Sequence, residues 1–183
     1  KMMTPQSEEE LAGMIADATT PLAVQGGGTR GFVAAGDVLC SAGLAGIRLY
    51  EPGALTLVAG AGTPVAEIEA ALAAENQRLA FEPMDHRALL GTSGAPTIGG
   101  VMAANISGPR RIAVGAARDF ALGVRFVDGA GRIVKNGGRV MKNVTGYDLV
   151  KLMCGSFGTL GVLSEISMKV LPAPETEATL VIG

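Results

Sequence analysis

The chain has no tryptophan, one histidine and two cysteines in 183 residues, and each scarcity removes a chemistry. Cys40 and Cys154 lie far apart, without CxxC spacing or histidine company. They spell no zinc site, and a disulfide does not suit a reduced compartment. Both read as small buried apolar side chains. His86 has no matched nucleophile, and a lone histidine is more often a surface or packing residue than a catalyst. Aromatic residues are 4 % of the chain, charged residues 17 %, and the net charge is -2. A nucleic-acid binder would show a basic stripe with interleaved aromatics, which is missing here. No run approaches the roughly 18 apolar residues that span a bilayer. The opening Lys1-Met2-Met3-Thr4-Pro5 has no apolar core of a signal peptide. These features predict a cytoplasmic protein, or one peripheral at the inner membrane through partners.

What is abundant is small and apolar: 48 % of residues are hydrophobic and 27 are glycine. The length fits one ordinary domain or two small lobes with a shared core. The sequence is organised around Pro96-Thr97-Ile98-Gly99-Gly100-Val101-Met102-Ala103-Ala104-Asn105-Ile106-Ser107-Gly108-Pro109. Gly99 and Gly100 lack a Cβ, so their amides can approach a bulky ligand. The turn leads into a helix start, where unpaired N–H groups and the dipole favour an anion. Thr97 adds a hydroxyl and Asn105 an amide. A close-packed structural turn would use the same residues, so both readings stand.

Ser7 and Glu10 form a capping box ahead of Leu11, Met14, Ile15 and Ala18, which predicts a packing helix over 8–18. Pro21–Val24 reads as a buried strand that runs into Gln25-Gly26-Gly27-Gly28-Thr29-Arg30-Gly31. Three glycines and a threonine after a strand make a nest of amide donors suited to a phosphate or pyrophosphate. A mobile surface loop is the alternative. The pattern is neither a Walker A loop nor a GxGxxG motif opening a helix, which argues against a Rossmann unit.

Strands are expected at Asp37–Cys40, Ile47–Tyr50 and Leu55–Ala59. A helix follows, with Thr63 as N-cap, Pro64 at its first position, a stripe of Val65, Ile68, Leu72 and Ala73, and Asn76 as its stop. Residues 79–95 carry little regular pattern. Phe120–Val127 and Arg132–Val134 read as a hairpin about Asp128-Gly129-Ala130-Gly131. Gly146–Met153 reads as a capped helix, and Gly155–Gly161 as a second glycine-rich turn before a strand over Val162–Leu171. Thr179–Ile182 predicts a last strand at the end of the sequence, which suggests a piece of a longer chain.

Four motifs occur in order: Gly26-Gly27-Gly28-Thr29 behind Pro21, Thr97-Ile98-Gly99-Gly100, Gly146-Tyr147-Asp148-Leu149, and Gly155-Ser156-Phe157-Gly158-Thr159-Leu160-Gly161-Val162-Leu163. Together they resemble the FAD-binding (PCMH-type) domain of the vanillyl-alcohol oxidase superfamily, over nearly the whole chain. Dense alanine, Thr-Ile-Gly-Gly-Val-Met-Ala-Ala-Asn from Thr97 and Val-Met-Lys-Asn-Val-Thr-Gly-Tyr-Asp-Leu from Val140 are most similar to FAD-binding subunits of glycolate oxidases.

The resemblance implies an α+β fold of two α/β subdomains, 1–80 and 81–183, with FAD held between them and a C-terminal cap domain absent. It implies that Gly26, Gly27, Gly28 and Thr29 hold the pyrophosphate. It places Thr97, Gly99, Gly100, Asn105 and Gly108 along the diphosphate, ribityl and flavin region, with Gly161 and Val162 at the flavin edge. A pyrophosphate carries about two negative charges near neutral pH and suits converging N–H donors. Two positions depart from the family. Many relatives have an acidic residue at Phe157, which here either packs on a ring or, as expected, fills core. Many have a serine at Arg30, which either neutralises phosphate or points to water.

The first glycine loop has no histidine, so a dissociable, non-covalent FAD is expected. No catalytic base is named and no metal is expected. The implied function is the FAD-binding subunit of a glycolate (2-hydroxy acid) oxidase or dehydrogenase complex, acting with other flavoprotein and iron–sulfur subunits. This stretch alone is expected to be inactive. The competing reading is an assembly module of such a complex with weak or no flavin binding. A nucleotide-sugar reductase of the same fold would need a serine or acid from a third domain.

Overall fold

A computed structural model describes residues 1–32, 34–140 and 146–183. In chain order the elements are β1 (Met2–Met3), α1 (Glu8–Ala16), β2 (Leu22–Gln25), β3 (Asp37–Cys40), β4 (Ile47–Glu51), β5 (Thr56–Gly60), α2 (Val65–Ala73) and β6 (Gln77–Arg78). There follow α3 (Arg87–Leu90), α4 (Ile98–Ala103), α5 (Arg111–Val114), α6 (Ala117–Phe120), β7 (Ala121–Val127), β8 (Ile133–Gly137), α7 (Leu149–Met153), β9 (Val162–Lys169) and β10 (Leu171–Pro172). The expected α+β class is observed.

Two main sheets form. A parallel three-stranded sheet has the order β1-β3-β2, and an antiparallel five-stranded sheet has the order β4-β5-β9-β7-β8. The large sheet draws β4 and β5 from one side of residue 80 and the other three strands from beyond it. Its main face is covered by helices. Val65, Ile68 and Leu72 of α2 and Ile98, Val101 and Met102 of α4 pack with Leu57 and Ala59 of β5 and Ile166 and Met168 of β9. On the opposite face, Leu11 and Ile15 of α1 meet Leu39 of β3, Val127 of β7 and Val162 of β9. That second, smaller core joins the two sheets. Burial at roughly 25 cal/mol per Å² of apolar surface makes these two contacts the main stabilising terms.

A β-bulge separates the faces. Arg125 pairs with Glu165 but Phe126 with Leu163, which leaves Ser164 as the extra residue on β9. The bulge lets both Leu163 and Ile166 enter the large core. It also presents the Ser164 hydroxyl to Glu8 of α1, to which it donates, while the Ser164 carbonyl accepts from the Ala61 amide at 2.9 Å.

Several expectations need correction. The first helix ends at Ala16, and Ser7 does cap it by accepting from the Glu10 amide at 3.1 Å. Glu10 reaches back one residue further than a capping box requires, to the Gln6 amide. Thr63 is not the cap of α2: its buried hydroxyl donates to Gly60 O at 2.6 Å and accepts from the Gly46 amide. A closer pair of backbone partners has claimed it. Asn76 does turn left-handed, at φ 52°. The strand expected over Val162–Leu171 breaks after Lys169, because Leu171 and Pro172 leave the large sheet to pair with β6. Thr179–Ile182 forms no strand; it pairs with no other segment among the described residues and lies exposed. Met141–Thr145 of the motif that starts at Val140 fall outside the described residues.

Candidate functional site

A groove opens where the small sheet meets the large one. It is lined by Val24 and Gln25 at the end of β2, the loop 26–32, Ser41, the α4 face Gly99, Gly100, Ala103 and Ala104, the turn residues Phe157 and Gly158, and Val162 and Leu163 of β9. Between these walls lie about 740 Å³ of non-atom space, part of it open to solvent. Stretches far apart in sequence therefore converge on one concavity.

The loop is held from outside. Ser41 Oγ donates to Gln25 O, Cys40 Sγ to Gly26 O at 3.4 Å, and Thr92 Oγ1 to Thr29 O at 2.6 Å. Carbonyls are thus turned outward. The amides of Gly27, Gly28, Thr29, Arg30 and Gly31 make no hydrogen bond among the described residues. Gly28 and Gly31 both sit at φ 67°, where a side chain would strain the backbone. Free donors in such a turn form an anion nest.

The start of α4 behaves otherwise. Thr97 caps it, accepting from the Gly100 amide at 3.2 Å. The Gly99 amide donates to Ala61 O at 2.8 Å, and the Ile98 amide to Thr63 O at 2.9 Å. The unpaired helix-start donors expected from the sequence are occupied by β5's following turn. Gly99 is a glycine because a Cβ would stand 2.7 Å from Ala61 O. Gly100 is different: a Cβ there would stand 3.1 Å from Arg30 Nη1. The missing side chain makes room for a guanidinium.

Of the residues proposed from sequence, Gly26, Gly27, Gly28, Thr29, Gly99, Gly100 and Val162 line the groove. Four others stand behind or away from it. Thr97 lies under the loop as the α4 cap. Asn105, at φ 50°, ends that helix, and its Oδ1 accepts from the Arg118 amide at 3.0 Å. Gly108 donates to Phe81 O, and a Cβ on it would press on Glu82 O at 2.6 Å. Gly161 packs where a Cβ would meet Val127 O at 2.8 Å.

Sequence reasoning missed several lining residues. Ala103 and Ala104 lie four residues beyond Gly99 and Gly100, one helical turn, so the period alone could have placed them on the same face. Phe157 is not core: it is 54 % exposed, at φ 56°, and meets Phe32 edge-on with ring centroids 5.4 Å apart. Two rings therefore stand at the groove, where none was expected from sequence. His86 lies outside the groove, with Nδ1 at 3.1 Å from Met84 O.

Residues 1–137 match the family described as FAD binding domain. The chain belongs to that family. FAD is its cofactor, and the fold is of the PCMH type. The chain is 44 % identical to glycolate oxidase subunit GlcE of Escherichia coli (strain K12) over 88 % of its own length and 45 % of that protein. It is 44 % identical to glycolate oxidase subunit GlcD of Bacillus subtilis (strain 168), and 43 % to a D-lactate dehydrogenase of Anaerostipes hadrus. Those matches cover 46 % and 47 % of the chain and 18 % of each relative. The chain thus spans less than half the length of these relatives. Two solved structures of alkyldihydroxyacetonephosphate synthase share the fold, with TM-scores of 0.75 and 0.72 at 22 % identity, over 96 % of this chain and 32 % of theirs.

The groove fits such a cofactor. Its loop offers free amides, its helical floor is built of Gly and Ala that leave space for a broad ligand, and Arg30 brings a cation whose buried Nε has no partner. No helix among the described residues is long and apolar enough to cross a membrane, and no described cluster of His, Cys, Asp or Glu could hold a metal.

Proposed function

We propose that the chain is the FAD-binding part of a subunit in a glycolate (2-hydroxy acid) oxidase or dehydrogenase complex. The observation that carries this is the 44 % identity to GlcE over 88 % of the chain. FAD, when bound, supplies the two-electron chemistry. The chain's own residues bind and orient it. Gly27, Gly28 and Thr29 would present amides to the diphosphate, and Gly99, Gly100, Ala103 and Ala104 would form the floor that a side chain would obstruct. Gly26 and Val162 would line the same groove. Thr97 would support the loop from behind, and Asn105, Gly108 and Gly161 would fix the turns around it. We name no catalytic acid or base in this chain.

The flavin is non-covalent on this reading. Covalent attachment needs a nucleophilic His, Cys or Tyr, and no such residue lines the groove among the described residues. Two subdomains, 1–80 and 81–183, belong to the same proposal. Because both contribute strands to the large sheet, they are expected to unfold together. Partners are other subunits of the complex, both flavoprotein and iron–sulfur, and the location is cytoplasmic or peripheral at the inner membrane through them.

The test is to purify the full-length chain alone and with its co-expressed partner subunits. Acid-released FAD and glycolate-dependent dye reduction by the complex support the reading. Colourless protein that FAD cannot reconstitute, in a complex that still assembles, favours an assembly module instead.

A further inference from the structure

Among the described residues, Arg30 is the one charged side chain that lines the groove, and no described group answers its charge. Its Nε is buried without a partner, and the side chain makes no hydrogen bond or ion pair among the described residues. Burial draws its pKa down, the direction expected when a cation loses water without gaining an anion. The carboxylate it senses, Asp85, is committed elsewhere: Arg87 Nε and Nη2 grip both its oxygens at 2.7–3.0 Å. Glu69, beside the second cavity that Arg30 also borders, has its carboxyl pKa raised by burial and by Asp85. Neither acid neutralises Arg30 at contact distance.

Position explains the arrangement. Arg30 Nη1 lies over Gly100 at the start of α4, 3.1 Å from where a Cβ would stand. The first amides of α4 are already bonded within the protein, so that end of the helix offers an anion few donors. The loop amides of 27–31, next to that helix start, are free among the described residues. A dianion held there would receive neutral donors from the loop amides and a charged one from the Arg30 guanidinium above Gly100.

We infer that Arg30 is the charge partner of the FAD diphosphate in this chain, a positioning residue that replaces helix-start amides with a cation. The inference rests on the proposed placement of FAD in this groove. An arginine fork suits phosphate oxygens, and charge-assisted bonds of this kind are about twice as strong as neutral ones. Without ligand, by contrast, a desolvated unpaired guanidinium destabilises the protein.

The experiment compares wild type, Arg30→Met and Arg30→Lys in the full-length chain. Flavin uptake is measured by fluorescence titration with FAD and with riboflavin, which lacks phosphate, at low and high salt. Apo-protein melting is measured in parallel. Arg30→Met should weaken FAD binding by about tenfold or more at low salt and flatten its salt dependence. Riboflavin affinity should be unchanged, and the apo-protein should melt no lower than wild type. Arg30→Lys should recover part of the FAD affinity.

Three results overturn the inference. One is FAD affinity equal to wild type in Arg30→Met. Another is an equal weakening of FAD and riboflavin. The third is a lower apo melting temperature, which would assign Arg30 to the Asp85–Glu69 side as a structural residue. In each of these the wild type still takes up FAD, so the functional reading survives. A wild type that takes up no FAD overturns both.

Discussion

Thr97 Oγ1 stands in the space where a side chain on Gly26 would begin. The first glycine loop and the cap of α4 are therefore one joint, in which the hydroxyl that accepts from the Gly100 amide also fills the hollow of Gly26. Gly27 is tighter still, because a Cβ there would overlap the Ala95 carbonyl oxygen. Gly28 is free of such neighbours, with only the Gln25 side chain at 3.9 Å. Glycine is needed at the first two positions for packing, and at the third for its φ of 67°.

This gives a graded expectation. Gly27→Ala must displace backbone and should cost about 3 kcal/mol or more. Gly28→Ala keeps its space and pays only the left-handed strain, about 1 kcal/mol. Urea midpoints on the apo-protein separate the two. Equal midpoints would mean that the loop is not packed as described.

The second prediction concerns acid. Glu8 of α1 accepts from Arg125 Nε at 3.1 and 3.2 Å and from Ser164 Oγ, across the core that joins the sheets. The Arg125 hydrogen bonds, and then the Ser164 one, outweigh burial and hold the Glu8 carboxyl below its ordinary 4.5. A lowered folded pKa means the folded state binds fewer protons, so this stability is present above pH about 4.5 and lost as pH falls through the folded value. Glu8→Gln should cost about 1–3 kcal/mol at neutral pH. It should also flatten the fall in stability below pH 4.5, read from urea titrations at several pH values.

How legible was this in sequence? The small glycine loop, the Thr97 turn and the hairpin at Asp128 announced themselves because each is local: a φ requirement, a cap or a two-residue bond determines it. Asp128 Oδ1 does accept from the Ala130 and Arg132 amides, as its turn position suggests. Most of the failures were non-local. Thr63 looked like a cap but is claimed by Gly46 and Gly60, seventeen and three residues away. The α4 amides looked free until β5's following turn occupied them. Phe157 looked apolar enough for a core, yet its turn, pinned by its own amide to Ala103 O at 2.8 Å, carries it to the groove. Asn105, Gly108 and Gly161 carry the small-residue signature of a ligand wall, but tight backbone approach or a left-handed turn leaves the same signature.

Phe157 allows a third prediction. A non-glycine residue at φ 56° is strained, and the ring's one aromatic neighbour is Phe32, itself 69 % exposed. Strain kept at a groove marks a position shaped for something other than stability. Phe157→Gly relieves the backbone and loses an edge-to-face contact, each about 1 kcal/mol, so the apo-protein should melt within a few degrees of wild type. FAD should dissociate about tenfold faster, since an aromatic wall is lost from the groove, and stopped-flow release into excess riboflavin-binding protein measures it. A large fall in apo stability with unchanged release would return Phe157 to a packing role.

The last prediction separates the two thiols from redox chemistry. Cys40 and Cys154 are both buried and unpaired, and Cys40 is further engaged with Gly26 O. Burial, the largest influence on Cys154, pushes its thiol up to about 11. At pH 8 only about one molecule in a thousand then carries the thiolate that reacts. Lys151 and Arg118 pull the value down but do not offset the loss of water. Folded protein should therefore react with neither equivalent of Ellman's reagent over minutes at pH 8, and with both at once in denaturant. Prompt labelling of one thiol in folded protein would locate an opening of the wall: at Cys154 beneath α7, or at Cys40 behind the glycine loop, where FAD should then slow the reaction.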